Sequence, residues 1–200
     1  MTNASAVSPN VYGGIDPGAS GGIAYISEDG TLLKANKAGE TEADTASLLL
    51  FPGLVEVTIE KVHVMPAVDW KSKPCPVCGG RKTIRGANAL GSFMQNYGFL
   101  RGLLVGMKIR FQEVPAQTWQ RYMHCLTHGD KNISKAAAQR LFPEAKITHA
   151  TADAILIAEF GRLKALGKLP PPIKVVRVSK PDPNQIRIPI LGQEGVDDFT

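Results

Sequence analysis

The chain has no apolar run approaching the roughly 20 residues that a membrane-spanning helix needs, so no membrane partner is expected. Its first ten residues carry no basic cluster followed by an apolar stretch, and no secretory leader is expected either. Only 3 cysteines are present, two of them in Cys75-Pro-Val-Cys78, which is too few for a disulfide framework. A soluble protein of the reducing cytoplasm is the expectation. No internal repeat is visible, which argues against a solenoid or propeller. What the 200 residues do contain, at 44% hydrophobic content, suits one globular domain with a sizeable core.

Charge is unevenly spread. Residues 1–60 hold 2 basic and 8 acidic residues, a balance of −6, whereas residues 61–140 hold 13 basic and 3 acidic, a balance of +10. The last sixty are nearly neutral, at 8 basic and 7 acidic. A basic middle beside acidic flanks fits a nucleic-acid surface next to a carboxylate metal site. Solvated lysines on ordinary helices would give the same count.

Strand and helix signals alternate along the chain. Val11 to Asp16, Gly21 to Ile26 and Thr31 to Lys37 read as three consecutive strands, the last two joined across a turn at Asp29-Gly30. Thr41 to Leu50 reads as a capped helix and Leu54 to Glu60 as a fourth strand. Ala87 to Met107 has apolar residues at helical spacing, and its glycines at 91, 98, 102 and 106 permit close approach of another backbone. Lys108 to Val114 is expected as a fifth strand, followed by helices over Pro115–Tyr122, Ser134–Phe142 and, strongly amphipathic, Ala150–Leu166. The expected fold is α/β, a mixed five-stranded sheet flanked by helices. The domain is expected over 11–167, between a flexible N-terminus (1–10) and a proline-rich tail (168–200) in which Ile173 to Val178 can add a strand. Residues 61–86 interrupt the domain as a basic loop or insertion.

Two acids end expected strands, Asp16 and Glu60, and a third, Asp153, falls in the first turn of the last helix, four residues after His149. Taken singly, Asp16 fits an Asx turn, Glu60 a solvated or paired side chain, Asp153 a favourable helix N-terminal charge and His149 a capping or surface residue. Taken together they are the donor set that hard cations such as Mg2+ or Mn2+ prefer. Two such cations can activate a water and stabilise a leaving oxygen in phosphodiester hydrolysis, and a nearby His can act as general base or acid.

Several motifs are similar to those of one family. Gly14-Ile-Asp-Pro-Gly-Ala-Ser-Gly-Gly22 resembles the opening strand of RuvC-type Holliday junction resolvases. Thr58-Ile-Glu-Lys-Val-His-Val-Met-Pro66 resembles their second motif, in the form of the phage and plastid branch. Gly91-Ser-Phe-Met-Gln-Asn-Tyr-Gly-Phe99, Val114-Pro-Ala-Gln-Thr-Trp119, Ser134-Lys-Ala-Ala-Ala-Gln-Arg-Leu-Phe-Pro143 and His149-Ala-Thr-Ala-Asp-Ala-Ile-Leu-Ile-Ala158 follow in collinear order over residues 12–165. The resemblance implies an RNase H-like fold and a homodimer in which each protomer nicks one of two opposed strands of a four-way junction. It also implies that Asp16, Glu60 and Asp153 are the magnesium- or manganese-binding, catalytic carboxylates, with His149 a fourth active-site residue. One departure is Ala150, where many bacterial members carry an acid or His three residues before the last Asp. A broader nuclease acting on forks and flaps, or a non-catalytic junction-binding protein, would keep the same fold.

Lys61, Lys71, Lys73, Arg81, Lys82, Arg85 and Arg101 are candidate contacts to DNA phosphates. Trp119 suits a core role better than base stacking. The Cys75–Cys78 pair has the spacing of a zinc knuckle, but a structural site takes four ligands. His124, Cys125, His128 or a second subunit's pair can complete it, and two reduced cysteines in a loop are the alternative. The family resemblance does not account for this insertion.

Overall fold

The computed structural model describes residues 9–18, 20–62, 72–81, 87–127 and 129–173, with backbone alone for 87–89. Short apolar and β-branched runs build five strands, β1 (Val11–Ile15), β2 (Gly22–Ser27), β3 (Leu32–Lys37), β4 (Leu54–Lys61) and β5 (Phe111–Pro115). They form one mixed sheet in the order β3-β2-β1-β4-β5. The β1–β2 and β2–β3 pairs are antiparallel, and the β1–β4 and β4–β5 pairs are parallel. Five helices flank it: α1 (Glu42–Leu49), α2 (Ala87–Gly106), α3 (Ala116–Tyr122), α4 (Lys131–Leu141) and α5 (His149–Ala165). This is the α/β architecture expected. None of the described helices is long and apolar enough to cross a membrane.

The period of two in each strand divides the interior into two cores. Ile15, Ile23, Tyr25, Val57 and Ile59 face one way and pack with Leu49 of α1 and Tyr97, Leu100 and Leu104 of α2. Ala24 and Ile26 face the other way, against Trp119 of α3, Ala137 and Ala138 of α4, and Ala154 to Ala158 of α5.

Four expectations need correction. The fifth strand starts at Phe111 rather than Lys108, because Lys108 takes a left-handed φ of 56° and the Ile109 amide turns back to the Leu104 carbonyl at 2.9 Å. The fourth helix starts at Lys131, not Ser134, because the Asp130 side chain caps it, accepting from the Asn132 amide at 2.9 Å. The last helix starts at His149 behind a Thr148–Thr151 capping box, so Asp153 lies one turn in and not in the first turn. Nor is that helix amphipathic: residues 154–162 are buried on every face. The charged pair within that buried stretch, Glu159 and Arg162, is satisfied inside. Arg162 donates to Glu159 through Nε at 2.8 Å and Nη2 at 2.6 Å, and through Nη1 to the Glu28 carbonyl at 3.0 Å.

Within the basic insertion, residues 72–81 form a turn and no regular element, and 63–71 and 82–86 lie outside the described residues. The described tail ends at Ile173, whose amide donates to the Arg121 carbonyl at 3.1 Å. Residues 1–8 and 174–200, and with them nearly all of the added strand expected over 173–178, lie outside the described residues.

Candidate active site

Strand register brings the first two acids together. In the parallel β1–β4 pair Ile15 is partnered with Ile59, so the next step sets Asp16 beside Glu60. Asp16 shares a face with Gly14 and Glu60 with Thr58, and α5 covers that face. Glycine lets it sit close. A Cβ on Gly14 would lie 2.2 Å from the Ala158 amide nitrogen and 2.3 Å from the Ala154 carbonyl oxygen. A Cβ on Gly161 would meet Thr58 Oγ1 at 2.1 Å. With no side chain at either position, α5 rests directly on the strands and carries Asp153 to the end of the sheet where Asp16 and Glu60 stand.

Each carboxylate is held differently. Asp16 Oδ1 accepts from the Gly18 amide at 3.0 Å, an Asx turn, and the Asp16 amide donates to the Gly22 carbonyl at 3.0 Å. Asn96 of α2 donates to the Pro17 carbonyl at 2.8 Å and anchors the same loop. Glu60 Oε2 accepts from the indole nitrogen of fully buried Trp119 at 2.8 Å. Asp153 Oδ1 is buried and has no hydrogen-bond partner among the described residues. A buried acceptor left open in this way is costly, and a ligand commonly satisfies it.

The electrostatics follow from crowding. Burial, with smaller contributions from the charges of Asp16 and Asp153, raises the Glu60 carboxyl to about 7 despite the hydrogen bond from Trp119. Burial also holds Asp16 above the usual carboxylate range, with Asp153 adding to it and the Gly18 amide opposing it. Lys131, the first residue of α4, lowers both. Beside the acids a cleft of about 490 Å³ is lined by Glu60, Lys61, Phe93, Gln117, Thr118 and Arg121.

This donor set fits hard divalent cations. It consists of carboxylate oxygens, one of them orphaned, and the raised carboxyls are those a dication would relieve. Among the described residues no three His, Cys, Asp or Glu side chains converge closely enough to form a ready-made ion cluster. The three acids are therefore within electrostatic reach of one another without closing a coordination shell.

No family model matches the chain, and no curated protein sequence does. Among solved structures the chain is similar to Thermus thermophilus RuvC, at 15% identity and a TM-score of 0.54, over 80% of this chain and 98% of that one. It is also similar to T. thermophilus RuvC in complex with Holliday junction substrate, at 13% identity and a TM-score of 0.56, with the same coverage. The fold is RuvC-like. At these identities the likeness concerns the fold alone.

Within this RuvC-like fold, Asp16, Glu60 and Asp153 lie within electrostatic reach of one another, and the fourth candidate is not coupled to them. His149 is exposed at the start of α5, on the face of Asp153 one turn later, and makes no hydrogen bond or ion pair with a described residue. The basic candidates diverge. Lys61 and Lys73 are exposed. Arg81 donates to the Ser72 carbonyl. Arg101 is paired with Glu113 at 2.7 Å and stands over the Tyr97 ring. Lys71, Lys82 and Arg85 lie outside the described residues.

Two participants escaped the sequence reading. Lys131 was counted only within the basic middle, and its one local signal was the Asp130 cap that places it at a helix start. Trp119 does fill the core, as its size suggests, but its N–H also positions Glu60. Cys125, considered above as a zinc ligand, is instead fully buried between the helices, its thiol raised to about 12 by burial and then by Asp153.

Proposed function

We propose that this chain is a magnesium- or manganese-dependent endonuclease that resolves four-way DNA junctions by paired hydrolytic nicks in opposed strands. The observation that carries this reading is the mutual electrostatic coupling of Asp16, Glu60 and Asp153, carried by two adjacent parallel strands and one helix at one end of a RuvC-like sheet. RuvC of T. thermophilus is known in complex with a Holliday junction substrate, which makes branched DNA the first substrate to test. Asp16, Glu60 and Asp153 would hold the cations, which when bound supply an activated water and charge stabilisation at the leaving oxygen.

The chain's own residues do the positioning. Trp119 fixes one oxygen of Glu60 and the Gly18 amide fixes one oxygen of Asp16, leaving the second oxygen of each free of those bonds. Lys131 favours the ionised acids and supplies a positive charge beside the scissile phosphate. His149, exposed on α5 one turn before Asp153, is the candidate general base or acid of this reading. Lys61 and Lys73, and by sequence Lys71, Lys82 and Arg85, contribute phosphate contacts that carry affinity without sequence information.

Homodimerisation completes the reading, because paired nicks need two sites. The open face of α2 supports it. Gly91, Gly98, Gly102 and Gly106 meet nothing within 4 Å, and Met94 and Val105 on that side are 41% and 66% exposed. The close approach that these glycines permit is not used by any described residue, so it is open to a second chain.

The test is cleavage of a labelled synthetic junction with magnesium or manganese, mapping nicks on all four strands. Paired nicks in opposed strands, lost in Asp16→Asn while junction binding persists, are expected. Equal cutting of forks and flaps would shift the reading to a broader branched-DNA nuclease. Binding with no cut under either metal would refute catalysis.

A further inference from the structure

We propose that Cys75 and Cys78 are half of a tetrathiolate zinc site, and that the other half is the same cysteine pair of a second copy of this chain. The backbone around them has the form such a site needs. The Gly79 amide donates to the Cys75 carbonyl at 2.8 Å, and the Cys75 amide donates to the Gly80 carbonyl at 2.7 Å, closing a tight knuckle. Gly79 has a φ of +68°, a conformation that side-chain-bearing residues rarely adopt. The amides of Val77 and Cys78 both point at the Cys75 sulfur. Backbone N–H groups directed at a sulfur are the hydrogen bonds that a metal-bound cysteine accepts in such a knuckle.

A redox role does not suit this geometry. Redox-active Cys-x-x-Cys pairs stand at the start of a helix in a thioredoxin-like βαβ context. Here residues 76–78 are a turn, no helix occurs within residues 72–81, and both cysteines are free. Zinc, tetrahedral and bound by thiolates, suits a reduced pair with this spacing.

Two ligands are then missing, and the described part of the chain does not supply them. No third His, Cys, Asp or Glu joins the pair among the described residues. Cys125 is buried in the core near Asp153. His124 is occupied, its Nε2 lying 3.0 Å from the Pro171 carbonyl oxygen. The knuckle itself faces outward: Val77, between the two cysteines, is 92% exposed, and Cys78 is exposed. A two-fold axis beside such a knuckle brings it against its own copy. Four thiolates then surround one ion, and the two Val77 side chains leave water. Five residues in sequence, 82–86, separate the segment 72–81 that carries the knuckle from α2, the helix whose glycine face has no partner among the described residues. Lys73, and the cations flanking the pair in sequence, offset the negative charge that four thiolates leave around a dication.

Metal analysis of protein purified without chelators, together with its mass in solution, tests this, and neither readout involves DNA cleavage. About half a zinc per chain in a dimer is expected, since four thiolates close one site. Cobalt substituted for zinc should show the absorption of a tetrahedral four-sulfur site in the wild-type protein, whatever the variants do. Cys78→Ser should lose the metal and make the dimer dissociate at higher protein concentration. One zinc per chain would overturn the shared site in favour of closure within one chain. No zinc, or a Cys78→Ser protein that keeps it, would overturn the metal assignment altogether.

Discussion

Replacing Glu60 by glutamine is expected to stabilise the metal-free protein, and to do so only above mildly acidic pH. The Glu60 carboxyl has a value of about 7 in the fold against 4.5 for the ordinary group. Its folded value is raised, so the native state keeps a proton that the unfolded chain releases between those two values. Stability therefore falls as pH rises from about 4.5 through 7 and levels off above. At about 1.4 kcal/mol for each unit, the full loss is about 3 kcal/mol. Glutamine has the same shape, stays neutral throughout and keeps an oxygen for the Trp119 N–H. The variant should match the wild type near pH 4.5 and exceed its stability by up to about 3 kcal/mol near pH 8. Asp16, raised for the same reason, leaves part of the slope in the variant. The assay is urea unfolding at several pH values in the presence of a chelator. Adding magnesium should restore the wild type most at high pH, where the acids are ionised, and restore the variant less. Equal pH slopes in the two proteins would refute the reasoning, because Glu60 would then ionise as an ordinary surface acid. So would a variant less stable at pH 8, which would show that the ionised carboxylate is held favourably in the metal-free fold.

Two other substitutions probe how the site is assembled. Gly14→Ala drives a methyl group into the backbone of α5 at Ala154 and Ala158, which cannot rotate away. It should cost about 1–3 kcal/mol or more and depress junction cleavage, since Asp153 moves with the helix; thermal unfolding at the wild-type temperature would show that the contact is not needed. Lys131→Gln removes a cation that lowers both Asp16 and Glu60. The acidic limb of the cleavage rate against pH should move to higher pH, with junction binding changed little, and an unmoved limb would take Lys131 out of the site.

Much of this molecule is legible locally. The apolar and β-branched strand runs, the Asp29-Gly30 turn, the Thr41 cap and the apolar spacing of α2 each act over a few residues, so a reading of neighbours recovers them. The same period of two places Asp16 and Glu60 at strand ends, and the turn at Cys75–Gly80 is written in its glycines. Element boundaries missed by a few residues turned on local caps and turns, and other misreadings turned on packing. The last helix looked amphipathic because Glu159 and Arg162 are charged; only burial against the sheet makes them pair inside the core. Lys131 looked like one lysine among many until Asp130 set a helix start beside the carboxylates. Cys125 and the Cys75 knuckle looked like possible ligands of one ion, and packing put the first of them in the core.

Residue types and their short-range periods by themselves determined which elements form, in what order, and which acids stand at their ends. Tertiary structure alone decided that Asp153, one turn into α5, comes within electrostatic reach of Asp16 and Glu60. That depends on two glycines, Gly14 and Gly161, removing the few ångströms of side chain that would hold α5 off the sheet. Such a fit between surfaces far apart in the chain leaves no periodic trace in either one.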